Sequence, residues 1–302
     1  MTVREVGRVT VLTNPMAGHG NAPHAAERAV ARFQQLGVDV IEIVGRDAAH
    51  ARELVDEAVA RGTDALVVVG GDGVIRLALQ TLACTDVPLG IIPSGTGNDH
   101  AREYGLPVGD PAAAVDVIAA GHTDSVDLGH IRSADGSSTW FGTIAATGFD
   151  SLVSDRVNRM RWPHGRMRYN LAIVAELSRL RPLPFHLVFD GEREIVADLT
   201  LAAFGVTRSY GGGMQICPGA DHSDGMLDIT MVAAGSRLQL IRLFPTVFKG
   251  THVNLDEVST ARARTVTVDS PGINAYADGD FAGPLPAEIS AVAGAVKIFM
   301  RP

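Results

Sequence analysis

The stretch Leu66-Val67-Val68-Val69-Gly70-Gly71-Asp72-Gly73-Val74 is an apolar run that ends on three glycines enclosing one carboxylate. Val and Leu without polar alternation suit a strand covered on both faces, the parallel-sheet case. After Gly73, the spacing of Val74, Leu77, Ala78, Thr81 and Leu82 is helical. The glycines therefore fall between a strand's carboxyl end and a helix's amino end. Unpaired N–H groups at a helix start favour negative charge, and glycines let backbone approach a ligand, so phosphate fits there. Asp72 is the odd member. A carboxylate beside a phosphate repels it unless a metal ion lies between them or the carboxylate takes a proton from the acceptor. On this stretch alone, a tight Asp-Gly turn explains the pattern equally well.

Residues 88–99 shift the balance, running from apolar Leu89-Gly90-Ile91-Ile92 into Ser94-Gly95-Thr96-Gly97-Asn98-Asp99 and then a helical pattern. Loops after neighbouring parallel strands face each other at one sheet edge, where such sheets bind ligands. Residues 9–13 and 38–44 read as earlier strands, and Ala25, Ala26, Ala29, Val30, Phe33 and Leu36 mark a helix closed by Gly37. Strand and helix alternate through about residue 105, which calls for a doubly wound parallel sheet with right-handed crossovers. Known nucleotide loops are excluded: Pro23 stands where a dinucleotide fingerprint starting at Gly18 needs its third glycine, and no glycine loop ends in Lys-Ser or Lys-Thr.

From about residue 125 strand-like runs follow one another, at 125–128, 139–146, 185–189, 195–206, 227–232, 265–268 and 296–299, with helices expected near 167–180 and 237–248. This half reads as a second, mostly β domain. Asp221-His222-Ser223-Asp224-Gly225-Met226-Leu227-Asp228 is oxygen-rich around a glycine, as hard cations require, though a solvated acidic turn accounts for it too. Tyr276-Ala277-Asp278-Gly279-Asp280 is open to reading as a hairpin turn. Residues 158–169 interleave Arg159, Arg161, Arg166 and Arg168 with Trp162 and Tyr169, a mixture suited to anionic headgroups or to a solvated helix start. The net charge of -8 argues against a general nucleic-acid binder. His19, His100, His164 and His222 lie in different segments and form no metal or nucleophile pattern, and a serine-hydrolase elbow is absent. Only Cys84 and Cys217 occur, and no signal-like or membrane-spanning run is found, so a cytoplasmic protein is expected.

Placed in order, these motifs resemble the diacylglycerol kinase catalytic family, whose superfamily includes sphingosine kinases and bacterial lipid kinases. They stand here as Asn14-Pro15-Met16-Ala17-Gly18, Gly70-Gly71-Asp72-Gly73-Val74, Gly95-Thr96-Gly97-Asn98-Asp99, Asp224-Gly225-Met226-Leu227-Asp228 and Asp278-Gly279-Asp280. The match spans nearly the whole chain, and Asp99-His100-Ala101-Arg102 is most similar to the soluble actinobacterial members.

The resemblance implies an α/β plus β fold: an amino-terminal phosphofructokinase/NAD kinase-like ATP-binding domain over 1–124, to which about 290–302 returns, and a β-sandwich lipid-substrate domain over 125–289. It implies ATP contacts by Asn14, Pro15 and Gly18, by Gly70, Gly71, Asp72, Gly73, Val74 and Ile75, and by Thr96 and Asn98. Mg²⁺ is implied at Asp221, Asp224 and the Met226 carbonyl, and catalytic roles fall on Asp72 and on Asp280 with Asp278 beside it. Partners expected are ATP and diacylglycerol at a membrane surface, visited peripherally; no nucleic acid is expected, and a homodimer is left open. Three departures stand out. Val74 replaces the family's Thr, Arg76 an Asn, and Asp280 a longer Glu. Rival readings are a sphingoid-base, monoacylglycerol or glycolipid kinase, NAD kinase, which shares the Gly-Gly-Asp-Gly loop, and a catalytically silent lipid- or nucleotide-binding regulator.

Overall fold

A computed structural model describes residues 2–13, 22–160, 182–233 and 237–302. The chain divides into two compact units, Met1–Leu128 with Ala293–Pro302, and Gly129–Val292.

In the first unit the elements are β1 (Thr2–Val3), β2 (Arg8–Thr13), α1 (Ala22–Gln35), β3 (Asp39–Val44), α2 (Ala48–Ala60), β4 (Ala65–Gly70) and α3 (Asp72–Leu82). After them come β5 (Leu89–Pro93), α4 (Asp99–Glu103) and α5 (Pro111–Ala119). Strands β3, β2, β4 and β5 lie in that order and are all parallel. Every residue of β4 is buried, as its unbroken apolar run demands. One sheet face, Val9, Val11, Ala65, Val67 and Val69, packs on Ala29 and Phe33 of α1 and on Val115 and Ile118 of α5. Each valine, Ile118 and Phe33 gains about 1.5–3 kcal/mol from burial, so the strand ends that carry the glycine loops are firmly fixed. The doubly wound parallel sheet is therefore observed.

Two strands, β6 (His122–Ser133) and β16 (Ala287–Phe299), run from one unit into the other. The far end of β16 extends the first unit's sheet, pairing Ile298 with Leu89 in parallel.

The second unit contains β7 (Ser138–Phe141), β8 (Ile144–Gly148), α6 (Phe149–Arg159), β9 (Leu183–Phe189), β10 (Arg193–Gly205), β11 (Leu227–Ala233) and α7 (Arg237–Val247). Four short strands complete it, β12 (Val258–Ala263), β13 (Thr265–Asp269), β14 (Asn274–Ala277) and β15 (Asp280–Pro284). Pairing within it is antiparallel throughout the described residues. In β9, Leu183, Phe185, Leu187 and Phe189 alternate into the core, the period of two that one buried sheet face requires. The expected strand over 139–146 is broken: Gly142 and Thr143 leave the ladder and give their N–H groups to Asp278. Strands β6 and β16 are longer than their apolar cores suggested, and α6 and β12 were not expected. The helix expected over 167–180 lies outside the described residues. No helix among the described residues is long and apolar enough to cross a membrane.

Candidate active site

Helix α3 begins at Asp72 itself, two residues before the helical spacing of the sequence begins, with Gly71 as N-cap and no side-chain cap bond. Val74 and Ile75 are buried, and their N–H groups bond the Gly71 carbonyl, at 3.1 and 3.4 Å. Their side chains serve the core, and Asp72 and Gly73 present the first turn.

The two glycine loops meet as bare backbone. A Cβ on Gly95 would lie 2.4 Å from the Gly71 Cα, and a Cβ on Gly97 would lie 2.7 Å from Asp72 Oδ2. Ser94 N–H donates to the Gly70 carbonyl at 2.8 Å, tying the loops at their roots. Asn98 adopts a left-handed backbone, φ 54°, and braces its own loop: its Oδ1 accepts from Gly95 N–H at 3.0 Å and its Nδ2 donates to the Gly95 carbonyl at 2.8 Å. Arg102 closes the other side, donating to the Gly97 carbonyl and to buried Asp99. Thr96 is exposed at the loop's crest. Asn14, Pro15 and Gly18 lie outside the described residues.

Asp72 has a partner that the sequence reading passed over. His100 is fully buried, and both its Nδ1, at 3.0 Å, and its backbone N–H, at 3.2 Å, bond Asp72 Oδ1. Burial pushes the Asp72 carboxyl up, but the hydrogen bond and charge of His100, with backbone N–H groups of His100 and Asp99, outweigh it. The net result lies below the ordinary carboxylate value. The available signal was positional. His100 is the second residue of α4, directly after the loop that the sheet places against Asp72.

In the second unit Asp278 and Gly279 form a two-residue hairpin loop between β14 and β15, both at positive φ, 50° and 86°. That is the backbone of a type I′ turn, which Asp-Gly suits. The Asp278 carboxylate accepts from Gly142 N–H and Thr143 N–H, each at 2.8 Å, and from the Thr143 hydroxyl. This is the bonding of an anchor. Asp280, two residues on, is exposed at the start of β15. The hairpin base is held from α6, where Asp155 accepts from Asn274 Nδ2 and the Tyr276 hydroxyl.

The acidic turn is occupied by its own side chains. Asp221 accepts from the Ser223 N–H and hydroxyl, at 3.0 and 2.7 Å, and Asp224 from Met226 N–H at 2.9 Å. Arg262 bonds Asp224 and also donates through Nε to Asp228 at 3.2 Å. Asp228 is raised above its ordinary value by burial, with Arg262 opposing and Asp224 and Asp221 reinforcing. Among the described residues no three His, Cys, Asp or Glu side chains are grouped to hold a metal. Around Asp221, Asp224 and Met226, where a cation is expected, the Arg262 guanidinium supplies a positive charge to Asp224 and Asp228. The basic and aromatic residues from Arg161 to Tyr169 lie outside the described residues.

Residues 8–131 match the model of the diacylglycerol kinase catalytic domain, and residues 143–300 that of the YegS C-terminal NAD kinase beta sandwich-like domain. The chain is 67% identical over 298 residues to a protein of Mycobacterium tuberculosis named diacylglycerol kinase, covering 99% of this chain and 96% of that one. It is 30% identical over 246 residues, 78% of this chain and 77% of the other, to a Stenotrophomonas maltophilia protein named Probable lipid kinase YegS-like. A crystal structure of a diacylglycerol kinase from Bacillus anthracis superposes with TM-score 0.74 at 20% identity, covering 99% of this chain and 98% of that one. At that identity the likeness concerns the fold.

Proposed function

Because this chain belongs to the diacylglycerol kinase family of lipid kinases, we propose that it transfers the γ-phosphoryl group of ATP to the free hydroxyl of diacylglycerol, giving phosphatidate and ADP. The observation that carries this reading is the pair of side-chain-free loops, Gly71 against Gly95, with Asp72 held ionised between them by His100. Phosphates would meet the start of α3, which no side chain caps and where Gly71 and Gly73 let backbone come close. Asp72 is the carboxylate that would hold Mg²⁺, which would supply charge neutralisation at the phosphates. The acceptor oxygen forms the new bond to phosphorus, the bond to the ADP oxygen breaks, and the acceptor's proton passes to Asp280. Asp278 fixes the hairpin that carries Asp280. Positioning and charge do most of the work in such transfers, so a carboxylate shorter than Glu suffices as proton acceptor.

One relative is named a lipid kinase without an acceptor, so a sphingoid base, monoacylglycerol or glycolipid is the competing substrate. Working on a lipid, the enzyme visits the membrane peripherally. Labelled phosphate transfer from ATP to diacylglycerol, monoacylglycerol, sphingosine and NAD in mixed micelles tests this. Labelled phosphatidate that disappears with Asp72→Ala is expected. Transfer only to another acceptor replaces the substrate, and no transfer at all, with ATP still bound, favours a silent regulator.

A further inference from the structure

Helix α7 is apolar on two sides. Leu243 and Val247, with Leu240 beside them, pack inward on Ile216, Val232 and Val258. Ile241, Phe244 and Phe248 are turned outward and are 56%, 47% and 45% exposed. Ile241 and Phe244, at i and i+3, share a helix face, and the ring of Phe248, in the turn just past α7, meets that of Phe244 edge to face at 5.6 Å, so the three side chains form one exposed patch. Arg242 and Lys249 flank it, both exposed, and no carboxylate occurs from Arg237 to Lys249, although the whole chain carries a net charge of -8.

We propose that this face docks the protein on a bilayer carrying anionic lipids. The proposal rests on the lipid-kinase reading above and adds the surface that brings the enzyme to its substrate. Water does not solvate aromatic rings well, and a bilayer's interface takes them in. A basic, carboxylate-free segment on an acidic protein matches an anionic membrane, which attracts each Lys or Arg near its surface while repelling the rest of the chain. A second copy of the chain fits less well. Three half-exposed side chains offer roughly 300 Å², and a stable interface needs about 800 Å² from each partner.

The test is sedimentation of the whole protein with phosphatidylcholine vesicles, with and without phosphatidylglycerol, comparing parent, Phe244→Ser/Phe248→Ser and Arg242→Glu/Lys249→Glu. The parent is expected to bind the anionic vesicles, and each double variant to bind about tenfold more weakly or less, with unchanged melting temperature because the altered side chains face solvent. A Phe244→Trp variant is expected to shift its emission to the blue on adding anionic vesicles. Unchanged binding by the variants, no binding by the parent, or a dimer that the Phe variant dissolves would each overturn the proposal. Kinase assays separate it from the activity reading. If docking is the role, Phe244→Ser/Phe248→Ser loses transfer to long-chain diacylglycerol in vesicles but keeps transfer to a short-chain, water-soluble diacylglycerol. Absence of transfer by the parent counts against the kinase reading alone, since vesicle binding is read without ATP.

Discussion

Gly95 and Gly71 touch so closely that Gly95 has no room for a β-carbon: one there would stand 2.4 Å from the Gly71 Cα and 3.1 Å from its nitrogen. Gly95→Ala must push backbone against backbone, and it is expected to cost about 1–3 kcal/mol in denaturant unfolding. Gly73 meets nothing within 4 Å. Gly73→Ala is therefore expected to keep or raise stability, by up to about 1 kcal/mol from helix propensity, yet to raise the KM for ATP if phosphate approaches that backbone. A Gly73→Ala enzyme with unchanged KM would remove Gly73 from the nucleotide site.

The carboxyl of Asp72 titrates below its unfolded value of about 3.9, since His100 outweighs burial. A depressed folded pKa gives stability that is fully present above the unfolded value and is lost as pH falls through the folded one. Relative to Asp72→Asn, the parent should therefore hold a stability advantage at pH 5, to be lost as the pH falls below about 4. Parallel profiles for the two proteins down to pH 3 would show that the His100 contact is not formed in solution.

Asp278 and Asp280 separate by readout. Removing the Asp278 side chain strands the Gly142 and Thr143 donors, at about 1–3 kcal/mol for each group left unpaired and buried. Asp278→Ala should melt earlier. Asp280→Asn should melt with the parent and lose about 10²- to 10⁴-fold in kcat. The opposite pattern would exchange their roles.

Arg262 neutralises Asp224 and Asp228 from a half-exposed position. Arg262→Met should cost at most about 1 kcal/mol, and millimolar Mg²⁺ should then restore the melting temperature by taking the vacated charge's place. The parent, without nucleotide, should not respond to Mg²⁺. A parent that Mg²⁺ stabilises as much as the variant would show that the cation binds beside the arginine.

Much of the fold was legible because β4 and the alternation before it are driven by burial, which leaves a plain mark on sequence. Helix α6 left a fainter one. Its Ser, Asp and Asn residues are weak helix formers, and contacts with neighbouring strands override that preference. The glycine loops could be read, and so could their meeting at a sheet edge. The Asp72–His100 pair could not, since it joins residues 28 positions apart through a loop conformation that periodicity does not encode. Arg262 was hidden for the same reason: it reaches Asp224 across the pairing of β11 with β12, and β12 itself was not expected.

The far end of β16 pairs with β5 of the first unit, while its near end belongs to the second. On the ribosome, the second unit is one unbroken segment and is complete once Val292 has emerged. The first unit begins earlier but must wait for residues beyond Val292 to finish its sheet. Synthesis order and completion order are thus reversed. A nascent chain stalled before Ile298 holds both glycine loops on a sheet that still has an open edge beside Leu89.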